Sequence, residues 1–378
     1  MIPLSVPNIA GNEWQYVKDC LDTNWISSVG SYVDRFEQML AEFTGVPYAV
    51  ACVNGTSALH ISMLLAGVQP EDYVIVPNIT FVASVNSIRY CFAKPILMDV
   101  DAESWQMDLD LLESFLAEQT FQENGSLYLK ADRKRIGAIM PVHVLGNMVD
   151  MDRFMDIVSR YPLPVVEDST EALGSYYKDK HAGSMGLFGC FSFNGNKIIS
   201  TGGGGMIVTH DQALAKRAKH ITTTAKSDPF EYMHDETGYN YRLVNVLAAV
   251  GVAQMEQLPG FIQRKQEIAQ AYYDGLSGVG DIRFQKITEN VEPNQWLFTI
   301  KTARQREVLA HLNANKIQSR PFWVPMNQLP MYKDDLFIQH NNTSQSIYET
   351  CLSIPCSTNI TDEEVQTVIR TIGEVFAS

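Results

Sequence analysis

Phe191-Ser192-Phe193-Asn194-Gly195-Asn196-Lys197-Ile198-Ile199-Ser200-Thr201-Gly202-Gly203-Gly204-Gly205 is the stretch on which the reading of this chain turns. A short apolar strand, Cys190 to Phe193, runs into a polar turn carrying Lys197, and the glycine run leads into the apolar Met206-Ile207-Val208. Consecutive glycines let the backbone take φ > 0 and approach another group closely, at an entropic cost that a folded chain rarely carries without use. A lysine held beside such a run suits covalent chemistry better than solvation, because desolvation or a nearby charge lowers its pKa and frees the amine to attack a carbonyl. A surface lysine in a flexible loop is the plainer reading of this stretch taken alone.

Outward from that turn, the whole chain of 378 residues is long for one simple core and suggests two units. Hydrophobic residues at 46% and charged ones at 19% describe an ordinary globular protein. A formal charge of −14 argues against nucleic acid or a membrane surface as partner, so any phosphate ligand needs a local device. The six cysteines (20, 52, 91, 190, 351 and 356) form no CxxC pair and no ligand spacing with histidine, so neither a metal site nor a disulfide framework is expected. The first residues lack a basic stretch and an apolar h-region, and no run has the length of a membrane span, so a cytoplasmic protein is expected.

Upstream, Tyr48 to Val53 reads as a buried strand that Asn54-Gly55-Thr56-Ser57 turns into a helix. Such a helix N-terminus offers backbone N–H groups, a positive dipole end and two hydroxyls to an anion, although an ordinary cap has the same sequence. Strands at Tyr73–Val76, Pro95–Met98, Ile136–Met140 and Pro164–Val166 alternate with helical stretches, the pattern of βαβ units and a mostly parallel sheet. Ligands of such sheets sit beyond the carboxyl ends of the strands, which makes Asn54–Ser57, Asn78–Phe81, Asp99–Asp101, Pro141–His143 and Glu167–Glu171 candidates. Asp168, at the end of a buried strand, calls for a cation or serves as a helix cap. Glu118 to Arg135 reads as an exposed excursion. Downstream, Leu258-Pro259-Gly260 is expected to break one helix (Leu243–Gln257) from the next (Phe261–Leu276), and a smaller α+β unit follows. The division expected is 1–250 for a large α/β domain and 251–378 for a small one.

Pyridoxal 5'-phosphate (PLP) needs a Schiff-base lysine, a carboxylate at its pyridine nitrogen, a phosphate cup and an aromatic on its ring face. Lys197, Asp168, the Asn54–Ser57 turn and Phe81 are candidates for the four. The released lysine would then move a proton as general base and acid.

The blocks Asn54-Gly55-Thr56-Ser57-Ala58-Leu59, Thr80-Phe81-Val82-Ala83, Pro141-Val142-His143, Glu167-Asp168, Ser192-Phe193 with Lys197 and the glycines, and Gly238-Tyr239-Asn240-Tyr241-Arg242 resemble the DegT/DnrJ/EryC1/StrS sugar aminotransferases from end to end. The stretches Cys20–Ser28 with Val29-Gly30, and Gln318-Ser319-Arg320-Pro321-Phe322-Trp323, resemble the branch acting on UDP-linked 4-keto-6-deoxy-N-acetylhexosamines in legionaminic acid and bacillosamine routes. The resemblance implies a fold-type I PLP-dependent transferase with a mostly parallel central sheet, working as a homodimer with shared sites. By motif position, Lys197 carries the cofactor, Asp168 meets the pyridine nitrogen and Phe81 stacks on the ring. Gly55, Thr56, Ser57 and Ser192 hold the phosphate, Asn240 reaches it from the partner chain, and Glu171 stands near the cofactor where glutamine or histidine is commoner. Ser28, His143, Arg242, Arg320 and Trp323 fall on the substrate side.

The activity so implied is a ping-pong transfer: L-glutamate converts the cofactor to pyridoxamine 5'-phosphate, 2-oxoglutarate leaves, and the amine passes to C4 of the keto sugar. A dTDP- or GDP-linked sugar is an alternative substrate. A PLP-dependent sugar dehydratase is an alternative enzyme, but the resemblance implies histidine in place of the lysine there, and Lys197 counts against it. A cofactor-holding sensor without turnover is the non-enzymatic alternative. No GxxxxGK[ST] is present to support a P-loop hydrolase.

Overall fold

The computed structural model describes residues 1–228 and 230–377. Continuous apolar runs such as Tyr73–Pro77 and Lys94–Met98 are buried almost along their whole length, as strands covered by helices on both faces must be. Across the sheet the order is Leu336–Ile338, Lys94–Met98, Tyr73–Pro77, Arg135–Ile139, Val166–Asp168, Phe188–Ser192, Gly205–Thr209, Tyr48–Cys52, the halves joined by the parallel bridges Ile139↔Val165 and Val142↔Asp168. Gly205–Thr209 runs antiparallel to both neighbours, and the others in this row share one direction. The carboxyl ends of Tyr48–Cys52, Tyr73–Pro77, Val166–Asp168 and Phe188–Ser192 therefore open onto one crevice, while Gly205–Thr209 brings the glycine run back to the same edge.

Three parts of the chain depart from the expectation, each for a physical reason. Glu118–Arg135 is no loose excursion: Thr120–Glu123 and Ser126–Leu129 form a hairpin that extends the sheet beside Arg135–Ile139. Its turn is Asn124 (φ 49°) and Gly125 (φ 74°), the left-handed pair that matches strand twist. Pro259 does not break the chain either, and a single helix runs from Asn245 to Leu276. A mid-helix proline costs about 3 kcal/mol. That cost is offset because the first half of the helix buries Ala248, Val252, Met255 and Leu258 against Phe36 and Leu40, and the second half buries Ile268, Tyr272 and Leu276 in another core. Residue 250 lies inside this helix. Lastly, Leu336–Ile338 adds a parallel strand to the large sheet beside Lys94–Met98, and Asp99 fixes the helix that follows by accepting from the Thr343 and Ser344 N–H groups (2.8 and 2.9 Å).

The smaller sheet, in the order Arg283–Phe284, Phe298–Lys301, Cys351–Ile354, Arg320–Pro321, is antiparallel throughout. Helices Gln305–Ala314 and Asp362–Ala377 close its core with Val308, Leu312, Val365, Val368 and Ile372. No helix among the described residues is long and apolar enough to cross a membrane.

Candidate active site

The strand Tyr48–Cys52 ends at Asn54, whose side chain accepts from the Ser57 N–H (2.8 Å) and caps the helix Gly55–Leu65. This cap engages the Ser57 N–H that was expected to face a phosphate. The first-turn N–H groups of Gly55 and Thr56, with the Thr56 hydroxyl, are left to hold an anion. Close packing makes the cradle: a Cβ on Gly55 would lie 2.8 Å from Ser192 Cβ, and one on Gly205 would lie 2.4 Å from the Asn54 carbonyl carbon. Gly205→Ala is thus expected to push the anion turn out of place. The loss should be about 1–3 kcal/mol of stability together with roughly tenfold weaker cofactor binding, read by thermal melting and by titration with PLP.

The loop from Phe193 to Gly204 is tied at its neck by Phe193 N–H to Gly204 O (2.9 Å) and Thr201 N–H to Phe193 O (2.9 Å). Within it, Lys197 N–H closes a turn on Asn194 O (3.0 Å), and buried Ile198 and Ile199 anchor the stretch beside Phe193 in the core. Lys197 therefore projects from a fixed backbone into a cavity of about 550 Å³. Gly55, Thr56, Phe81, Ser192, Arg320 and Trp323 line the same cavity. Arg320 is exposed at its rim and Trp323 is half-buried.

Asp168 sits just behind that lining. Its Oδ2 accepts from Ser84 Oγ (2.6 Å), its Oδ1 from the N–H of Thr170, a lining residue (3.1 Å), and Thr80 extends the chain through Ser84 (2.7 Å). The neighbouring Glu167 points into the core, where it accepts from His143 Nε2 (2.9 Å) and from the N–H groups of Gly183, Met185 and Gly186. His143, expected on the substrate side, is fully buried by this bond and lines no part of the cavity. Ser28 and Arg242 are half-buried elsewhere, and exposed Asn240 accepts from Arg242 Nε and Nη2 (3.2 and 3.0 Å). Within this one chain these three stand apart from the cavity.

Glu171 meets Lys197 directly, Oε1 to Nζ, at 3.8 Å. Burial raises the Glu171 carboxyl to about 7, with the Lys197 charge working against the rise. Burial lowers the Lys197 amine, with Glu171 and then Asp168 working against that fall. Removing the Glu171 charge removes a group that stabilises the ammonium, so the lysine should deprotonate at lower pH. In Glu171→Gln the pH midpoint at which the Lys197 amine loses its proton is expected to move down by about one unit, as measured by pH-dependent labelling of that amine between pH 6 and 9. Glu171 Oε2 also accepts from the N–H of Leu145 (2.9 Å), a cavity residue held at φ 61°.

Trp296 is the site residue that sequence reasoning passed over. Its ring centroid lies 3.9 Å from Lys197 Nζ, its indole N–H donates to Asn196 O (2.7 Å), and it stacks on Trp323 with centroids 6.4 Å apart. Trp296 lies just ahead of the strand Phe298–Lys301, some hundred residues from the lysine, and nothing local in the sequence ties the two.

A buried carboxylate, an anion turn cradled by glycine, an exposed aromatic and a lysine with a lowered pKa fit PLP in size and charge. Comparison with known proteins agrees. Residues 7–373 match the DegT/DnrJ/EryC1/StrS aminotransferase family. The chain is 37% identical, over its full length and 99% of the relative, to the GDP-perosamine synthase of Escherichia coli O157:H7. It is 34% identical, over 99% of its length and 98% of the relative, to the GDP-perosamine synthase of Caulobacter vibrioides. Among solved structures, the Streptococcus pneumoniae protein Spr1654, known in PLP and PMP forms, superposes with a TM-score of 0.88 at 26% identity, over all of this chain and 98% of that one. The chain belongs to the DegT/DnrJ/EryC1/StrS family and is a PLP-dependent sugar aminotransferase of fold-type I.

Proposed function

We propose that the enzyme moves the amino group of L-glutamate to C4 of a GDP-linked 4-keto-6-deoxyhexose, releasing 2-oxoglutarate. The choice of nucleotide rests on the relatives matched end to end at 37% and 34% identity, both named GDP-perosamine synthase. The UDP-linked N-acetylhexosamine expected from the subgroup resemblance becomes the rival substrate.

Bound PLP supplies an electron sink that stabilises the carbanion left when an amine substrate loses its α-proton. Every other requirement falls to the chain. The Gly55 and Thr56 N–H groups and the Thr56 and Ser192 hydroxyls, which line the cavity, would hold the phosphate, whereas Ser57 is buried outside that lining. Asp168, held by Ser84 and Thr170, presents a carboxylate to the pyridine nitrogen. Phe81, half-exposed at the start of its helix, covers the ring face. Lys197 takes the α-proton and returns it on the other substrate, with Glu171 at 3.8 Å to balance the charge it gains. Arg320 at the rim meets the diphosphate, and Trp323 packs on the sugar or base.

Asn240, Ser28 and Arg242 enter from a second copy in a homodimer with shared sites, which accounts for their distance from the cavity of their own chain. The large unit, which takes in the first half of the helix Asn245–Leu276 and the returning strand Leu336–Ile338, would hold the cofactor, and the small unit would carry Arg320 and Trp323 to it.

Turnover with GDP-4-keto-6-deoxymannose and its UDP-linked N-acetyl counterpart, each with L-glutamate, tests the reading. The GDP sugar is expected to be used at least about a hundredfold better in kcat/KM, since a base-specific pocket leaves polar groups unpaired against the wrong nucleotide. The reverse preference would return the assignment to the UDP branch. Use of neither sugar would sink the substrate class and leave the aminotransferase chemistry standing.

A further inference from the structure

Trp296 is held more firmly than packing of a large ring requires. Its backbone N–H donates to Asn294 Oδ1 (2.9 Å), and Asn294 Nδ2 in turn donates to the carbonyls of Glu171 (2.8 Å) and Leu173 (2.9 Å). Its carbonyl accepts from the buried ammonium of Lys265 (2.8 Å), which also donates to the Cys356 carbonyl (2.5 Å). The indole N–H fixes the Asn196 carbonyl, next to Lys197 in sequence (2.7 Å). The turn carrying Lys197 and the helix carrying Lys265 thus bond to the tryptophan directly, and the segment carrying Glu171 reaches it through Asn294.

The ring itself faces the Lys197 Nζ at 3.9 Å. The negative face of an indole attracts an ammonium, most strongly where water is excluded, and does nothing comparable for a neutral amine. Lys197 must be free of the cofactor for part of each cycle, and in that interval something has to hold its amine.

We propose that Trp296 is a positioning residue for Lys197, its indole face being the resting place of the lysine ammonium whenever that amine is not covalently engaged. This rests on the reading of Lys197 as the reacting amine. The ring shares the task with Glu171, while Asp168 and Arg320 are the other charged groups around the same space and Lys265 lies behind the ring's backbone. The arrangement stabilises the protonated product of each proton abstraction without adding a second negative charge beside the cofactor.

The test is the pH midpoint of Lys197 acetylation in the full-length protein freed of cofactor, by brief pulses of acetic anhydride and mass spectrometry of the Lys197 peptide. Wild type, Trp296→Phe and Trp296→Leu are compared, with thermal melts of each. Phe and Leu both lose the N–H to Asn196, so the difference between them isolates the aromatic face. The midpoint is expected to fall in the order Trp, Phe, Leu, by about 0.5 to 1 pH unit in total. One midpoint shared by all three, or Phe displaced as far as Leu, would overturn the proposal. Trp296→Met takes the place of the leucine variant if that protein fails to fold. Wild-type titration with PLP is run alongside: failure to bind would remove the aminotransferase reading of Lys197, whereas an ungraded midpoint with normal PLP binding would remove only the role of Trp296.

Discussion

In Lys197→Ala, turnover with L-glutamate and a keto sugar is expected to fall on the order of 10⁴-fold or more, and added PLP should give no absorption band of a covalent adduct. The size follows from how much is lost at one position. On the proposed reading the side chain is both the attachment point and the proton carrier, and no other lysine among the described residues lines the cavity. The anion turn at Gly55 and Thr56 and the carboxylate of Asp168 are untouched by the substitution, so PLP should still bind non-covalently, with a shift of its free spectrum and a weaker affinity. Retained turnover within tenfold of wild type would show that another amine does the chemistry. Loss of all PLP binding would show instead that the phosphate cradle contributes little by itself.

Glu167→Ala is expected to cost about 3–5 kcal/mol of stability, the largest structural effect among the site's neighbours. Glu167 is fully buried, and its removal strands His143 and three backbone N–H groups at once. Burial pushes its carboxyl up, but the His143 hydrogen bond and the Gly186 and Gly183 N–H groups outweigh that and hold it below the ordinary 4.5. A folded value below the unfolded one means that the stabilisation is present above about pH 4.5 and is lost as the pH falls below it. The gap in melting temperature between wild type and variant should therefore be wide at pH 7 and narrow in acid. A gap independent of pH would mean that the carboxylate charge plays no part. Because Asp168 is the next residue, the variant should also bind PLP less well in proportion to its loss of order.

Much of this site was legible because its parts are local. Asn54-Gly55-Thr56, Glu167-Asp168 and Lys197 with its glycines each sit where a buried strand gives way to polar residues, and a parallel sheet collects such ends in one crevice. What stayed hidden depends on contacts between distant segments. Trp296 meets Lys197 only because Asn294 and Lys265 place it there, and no periodicity around residue 296 records that. His143 has the residue type of a site group, yet its partner Glu167 faces the core because alternate residues of a strand face opposite ways. The Pro259 break was a sound local reading that two separate cores override. Leu336–Ile338 was missed because three residues carry too little pattern to show that the chain returns to the large sheet.

The helix Asn245–Leu276 has a consequence for how such a chain can vary. Val252 belongs to one core and Ile268 to the other, and a rigid rod of about 1.5 Å and 100° per residue joins them. Inserting or deleting one residue between them would turn one core by about 100° relative to the other and swing Arg320 and Trp323 away from Lys197. Steps of three or four residues bring the angle back to within about 40–60° but still displace one core by about 5 Å along the axis, so length changes in this stretch are expected to be poorly tolerated. The rod acts as a phase lock between the core beside Phe193 and the core under the small sheet that carries Arg320, so spacing along residues 252–268 matters more than the identity of the solvent-facing residues within it.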